Sequence, residues 1–287
     1  MQFAAIGEKG KIVIPRAMRD IFTGLTLKVF AVITMLIDHI GVGIISYVML
    51  KDNYALFYSD PAKYEKLNHL YLVCRAVGRS AFPIFCFLLA EGFCHTKSRI
   101  RYVLNLVVFG LISELPFDLA LITLNRIKTF NLKQVIADNI NRYWLNQNVF
   151  LTLALGLITI WILDTLLRKR TWFFYCCSIA VVLLAGCMAQ FALKSDYGVC
   201  GILLIVIFYL LREKRGMACI VGYAFLTIIF NFVLKEMEIW SLPAFILIYL
   251  YNGKRGNQGL RTKYMFYAFY PLHLLVIFII RVLVVSA

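Results

Sequence analysis

Nine apolar blocks divide the chain, at roughly Lys28–Leu50, Val77–Cys94, Tyr102–Leu124, Val149–Leu167, Trp172–Leu193, Tyr197–Leu211, Met217–Leu234, Ile239–Tyr251 and Tyr264–Val285. A helix needs about 20 residues to cross a hydrocarbon core about 30 Å thick, and most of the blocks approach that length. Inside such a core every backbone N–H and C=O must be satisfied within the protein, so blocks of this kind fold as helices. The expected fold is an all-α polytopic membrane protein, a helical bundle of about nine transmembrane helices. Eight or ten are the alternatives, because Tyr197–Leu211 and Ile239–Tyr251 are short enough to be re-entrant or shielded segments. A hydrophobic content of 62% and a mean hydropathy of +0.80 exclude an ordinary soluble domain.

The cations orient the bundle. The net charge is +15, but Lys and Arg fall in short clusters between the apolar blocks and form no continuous basic face, which argues against nucleic acid as a partner. Lys9, Lys11, Arg16, Arg19 and Lys28 precede or open the first block. Further clusters follow at alternate connections: Lys97, Arg99 and Arg101; Arg168, Lys169 and Arg170; Arg212, Lys214 and Arg215; and Lys254, Arg255, Arg261 and Lys263. These connections hold few acids, whereas Lys51–Ala76 and Asn125–Asn148, read as long outer loops, come closer to charge balance. By the positive-inside rule, residues 1–27 form a cytoplasmic tail, residues 28–287 form one transmembrane domain, and nine spans put the C-terminus outside. The same clusters suit contacts to anionic membrane lipid.

The eight cysteines show no C-x-x-C pair and no Cys/His metal spacing, so they read as small buried hydrophobes and no metal site is expected. The first apolar block is too long for a signal-peptide core and is expected to stay as a helix. In the tail, Gly10-Lys11-Ile12-Val13-Ile14-Pro15-Arg16 is similar to a fragment of the AbrB-type DNA-binding hairpin, over too little chain to close that fold.

Ionisable residues inside the blocks mark the candidate site, since each costs about 2.5–3.5 kcal/mol to insert and is usually paired or functional. Asp38 and His39 lie near the middle of the first block, His39 roughly 16 Å along the helix from Lys28. Arg79, Glu91, Glu114, Asp118 and His273 follow in later blocks. His39, Glu114 and His273 fall at similar depth, whereas Asp38 and His39 point about 100° apart and do not aim at one spot. His39 is therefore expected to face a reaction cavity, with His273 or Glu114 across from it, while Asp38 holds a neighbouring helix through Arg79 or a backbone group. Prolines 83, 116, 243 and 271 each deprive a carbonyl four residues earlier of its partner, and two of them stand beside Glu114 and His273. Neutral imidazoles at one depth suit general acid–base catalysis and, equally, a proton relay in a transporter.

The order and spacing of several segments carry a resemblance. They are Met35-x-x-Asp38-His39-x-Gly41, Arg75-x-x-Gly78-Arg79-x-x-Phe82-Pro83, Ala90-Glu91-Gly92-Phe93, Ile112-Ser113-Glu114-x-Pro116-Phe117-Asp118, Asn148-Val149-Phe150-x-Thr152, Asp196-Tyr197-Gly198, Asn252-Gly253-Lys254-Arg255-Gly256 and Phe269-Tyr270-Pro271-x-His273. Together they resemble the TraX family of membrane acetylases, named for the conjugative F-pilin acetylase. The resemblance implies an acetyltransferase of the bacterial cytoplasmic (inner) membrane that moves an acetyl group from acetyl-CoA to an amine or hydroxyl acceptor. A pilin or an envelope glycan is the expected acceptor. On that reading His39 is the general base, His273 a second catalytic or orienting imidazole, and Glu114 and Arg79 the electrostatic frame beside Asp38. Lys97, Arg99, Arg101, Lys254 and Arg255 would hold the phosphates of the donor. A proton-coupled transporter using the same histidines and carboxylates is the alternative, although its mark, paired halves with inverted-repeat similarity, is not evident.

Overall fold

The computed structural model describes residues 5–6, 12–13, 22–122, 132–139, 146–229, 237–257 and 259–286. Apart from one two-residue antiparallel pair, β1 (Ala5–Ile6) with β2 (Ile12–Val13), the regular structure among the described residues is helical. The remainder of the AbrB-like fragment and the tail cations Lys9, Lys11, Arg16 and Arg19 lie outside the described residues.

The first apolar block forms α1 (Gly24–Ile40), started by Thr23, whose hydroxyl accepts from Thr26 N–H at 3.2 Å. A π-helical turn, Gly41–Ile45, follows directly and passes into α2 (Ser46–Ser59). Asp60 then caps α3 (Pro61–Gly78), accepting from Lys63 N–H at 3.0 Å, with Pro61 in the first turn where its missing N–H costs nothing. The segment Lys51–Ala76, expected as a loop, is therefore helical. Its low hydropathy hid a single apolar face: Tyr64, Leu67, Tyr71 and Cys74 recur at helical spacing and pack on Ile45 and Met49.

After a break at Arg79–Ser80 the chain continues as α4 (Ala81–His95), with Pro83 in its first turn, and then α5 (Arg99–Phe117), capped by Ser98. Pro116 sits inside α5, and a second π-helical turn, Asp118–Ile122, follows it. Then come α6 (Leu132–Asn139), α7 (Val149–Leu167), α8 (Trp172–Cys187) with a third π turn at Met188–Ala192, α9 (Gly198–Leu210) and α10 (Arg215–Leu226). A 3-10 turn, Glu238–Ser241, leads into α11 (Leu242–Leu250), and α12 (Leu260–Ser286) carries Pro271 in its interior.

Among the described residues, six helical runs are long and apolar enough to cross a membrane: Gly24–Met49, Pro61–His95, Arg99–Leu121, Val149–Leu167, Trp172–Ala192 and Leu260–Leu283. Three others, Gly198–Leu210, Arg215–Ile229 and Glu238–Leu250, are apolar but shorter. Among the described residues, crossing length is thus met by six of the nine expected spans. Helix α7 packs against α5, α8 and α9, and α1 against α3, α4 and α12, around one large core that includes Leu157, Ile160, Leu204, Ile205 and Leu274. Large apolar side chains such as Ile33, Leu104, Phe173, Leu184, Ile220 and Leu272 face outward, as lipid contact requires. Cysteines do not all follow the buried reading: Cys94, Cys176 and Cys187 are exposed on these outer surfaces.

Candidate active site

His39 lies two residues before the first π turn, and His273 two residues after Pro271 in α12. Their rings are almost parallel, 4° apart, with His39 Nδ1 2.7 Å from His273 Nε2. The other nitrogen of His273, Nδ1, is 2.8 Å from the Phe269 carbonyl oxygen. A carbonyl oxygen only accepts, so neutral His273 carries its proton on Nδ1 and offers a lone pair at Nε2. His39 must then donate from Nδ1, which leaves the lone pair of His39 at Nε2. This chain of bonds fixes both tautomers and selects one nitrogen as the base.

Asp38, pointing away from His39, anchors a charged cluster. Both of its carboxylate oxygens are 2.8 Å from Arg75 Nη1, and Arg79 Nη2 approaches them at 3.3 Å. Arg79 Nη1 donates to Glu238 Oε1 at 2.9 Å, and the Tyr197 hydroxyl donates to the same oxygen at 3.3 Å. Three helical segments are tied together in this way: α1, the α3–α4 break and the start of the 3-10 turn. Gly78 makes the approach possible, because a Cβ there would collide with the Asp38 side chain. Arg79 thus meets Asp38 as expected, while Arg75, Glu238 and Tyr197 are additional members.

Glu114 is not part of either group. It is buried in α5 and accepts from the side-chain and backbone N–H groups of Asn148, the residue that caps α7 and whose side chain also donates to the Gly110 carbonyl at 2.8 Å. Its place across from His39 is taken by His273.

A cavity of about 740 Å³ runs into the bundle as far as Tyr270, which stands against both histidines; neither His39, expected to face a cavity, nor His273 is itself among its lining residues. Lys28, Lys97, Arg101, Arg255 and Lys263 line it at one end, where Gly24 N–H donates to the Lys254 carbonyl and ties the start of α1 to the loop before α12. Apolar side chains including Phe85, Leu89, Phe150 and Leu153 line its shaft, and Met35 and Tyr270 its deep end. Met35 is one turn before His39, and the Tyr270 ring stands edge-on to His39 at 6.0 Å and to His273 at 5.5 Å. Tyr251, also on the wall, donates to Glu91 at 3.4 Å.

Of the cations expected to hold phosphates, Lys97, Arg101 and Arg255 line the cavity. Arg99 and Lys254 do not: Arg99 is 3.0 Å from Asp164 and stacks over Phe93 at 4.2 Å. Lys28 and Lys263, which sequence reasoning treated as topology signals, join the lining instead.

These features can be set against known proteins. A family model described as TraX protein matches residues 23–281. The probable fimbrial assembly protein FimC, serogroup H1, of Dichelobacter nodosus is 28% identical over 266 residues, covering 88% of this chain and 93% of that relative. No solved structure matches. With the match spanning nearly every helix and both halves of the histidine pair, the chain belongs to the TraX family.

Proposed function

We propose that this protein is an acetyl-CoA-dependent acetyltransferase of the bacterial inner membrane, with the N-terminal amine of a pilin as its acceptor. The observation that carries the proposal is the cavity with cations at one end and a hydrogen-bonded histidine pair beside the other. The donor's charge is carried by phosphates at one end and its reactive thioester lies at the other, joined by a slender linker. A cationic mouth, an apolar shaft and a general base at depth match that order. The cationic end belongs to the connections that charge asymmetry assigns to the cytoplasm, where acetyl-CoA is made. On this topology the three shorter apolar helices complete nine spans, with the C-terminus outside.

His39 Nε2 takes the proton of the attacking amine as nitrogen adds to the thioester carbonyl carbon. His273 holds the imidazole in the required tautomer and stabilises its cation. When the C–S bond breaks, the sulfur receives that proton from His39, giving the acetylated amine and the CoA thiol. Arg75, Arg79, Asp38 and Glu238 fix α1 so that His39 stays aligned. The fimbrial assembly name of the Dichelobacter nodosus relative supports a pilus-related acceptor. Intact mass analysis of pilins and envelope glycans from cells with and without the protein tests this. A mass difference of one acetyl group on pilin is expected; a shift confined to a glycan would replace the acceptor, and no shift on either would overturn the function.

A further inference from the structure

We propose that the Tyr270 hydroxyl is a catalytic donor, hydrogen-bonding the thioester carbonyl oxygen as it becomes an oxyanion. The inference rests on the acyl transfer proposed above and adds the group that its charge development demands. A base alone leaves the negative charge on the carbonyl oxygen without a partner, and in a site lined by apolar side chains that charge needs a placed donor.

Tyr270 belongs to both parts of the site. It lines the deep end of the cavity, and its ring contacts both His39 and His273. The other phenols of the lining, Tyr102, Tyr251 and Tyr267, make no ring contact with either histidine among the described residues. Tyr270 is almost fully buried, packed edge-on against Phe150 at 4.9 Å, and sits one turn before His273 on the same helix, so its orientation is set by the element that sets the base. Phe150 is the second residue of α7, so this packing places Tyr270 at the start of that helix. A helix start favours negative charge in its vicinity.

In the addition step the amine nitrogen bonds the carbonyl carbon and the C=O electron pair moves onto oxygen. Tyr270 donates a hydrogen bond to that oxygen and keeps its proton. His39 holds the proton from nitrogen. Collapse re-forms C=O, expels sulfur and returns the His39 proton to it, so Tyr270 and His39 end unchanged.

The test compares wild type with Tyr270→Phe in native membranes, following acetyl incorporation from radiolabelled acetyl-CoA across a concentration range. Loss of one such donor lowers kcat by about 10²–10³-fold, while KM stays within about twofold because the bond forms only in the transition state. A second series carries 3-fluorotyrosine and 3,5-difluorotyrosine at position 270, which pack like tyrosine and avoid any folding defect of the phenylalanine variant. Under hydrogen-bond donation the rate changes stepwise with phenol acidity. A Tyr270→Phe enzyme within threefold of wild type, or a rate flat across the fluorinated series, overturns the proposal and leaves the acetyltransferase intact. Absence of incorporation by wild type overturns the underlying function instead.

Discussion

Replacing His273 by alanine removes the acceptor of the His39 Nδ1–H bond, which spans 2.7 Å, and frees the His39 ring to turn and to populate its other tautomer. In the resting pair the bond is between neutral groups and is worth about 0.5–1.5 kcal/mol; once His39 has taken a proton it is charge-assisted and worth about 1.5–3 kcal/mol. The difference, about 1–1.5 kcal/mol, appears in the barrier and corresponds to about a tenfold loss of rate. Lost orientation adds to this, up to about 100-fold in all, below the roughly 10²–10⁴-fold of the general base itself. His273→Ala should therefore lower kcat by about 10–100-fold and His39→Ala by more. KM for acetyl-CoA should hold, because His273 is not among the residues lining the cavity. Initial rates of CoA thiol release by detergent-purified variants, matched for monodispersity on size exclusion, give both constants. If His273→Ala retained the wild-type kcat, or lost activity through KM alone, the relay from Phe269 through His273 to His39 would be wrong.

Other predictions follow from the charged residues and one glycine. Arg255→Ala combined with Lys263→Ala should raise KM for acetyl-CoA about tenfold or more, a loss of about 1.4 kcal/mol, and flatten its salt dependence. Arg99→Ala should leave KM within about twofold, since Arg99 engages Asp164 and Phe93; equal losses in the two variants would contradict the cavity assignment. Arg79→Ala strips Glu238 of its ion-pair partner and should cost about 3–5 kcal/mol, read as a lower thermal unfolding midpoint, while Glu238→Gln costs less; a reversed order would count against the cluster as drawn. Gly78→Ala forces a Cβ against Asp38 and should destabilise by about 1–3 kcal/mol, visible in the same melting assay as a shift that an alanine at Gly253 does not reproduce through contact.

Much of the helical architecture was legible in the sequence because membrane-length apolar runs leave the backbone few alternatives. Counting residues along their blocks set His39 and His273 at one expected depth, and the two rings do meet across 234 positions of chain. What escaped was set by local chemistry that hydropathy averages away. Arg75 was assigned to a loop because α3 carries many polar residues, although Asp60-Pro61 is a helix-start signal and Arg75 stands four residues before Arg79. Glu238 lay just outside a short apolar block, so a carboxylate bonded to Arg79 was overlooked. The cationic cluster Lys97, Arg99 and Arg101 looked uniform in sequence, yet packing sends Arg99 to Asp164 and leaves the other two on the cavity wall. Glu114 shares a depth with the histidines but faces Asn148, a distinction that depends on helix rotation and which charge counting does not encode.

Acetyl transfer by the purified protein tests the central claim most directly. Wild type and His39→Ala, reconstituted in lipid vesicles, receive acetyl-CoA labelled in its acetyl group together with pilin carrying a free N-terminal amine. The expected result is label on the pilin N-terminus, matched mole for mole by CoA thiol, with wild type and a loss of about 10²–10⁴-fold with His39→Ala. Equal transfer by both proteins would remove His39 from the chemistry. Proton-coupled solute flux without any transfer by wild type would make the protein a transporter.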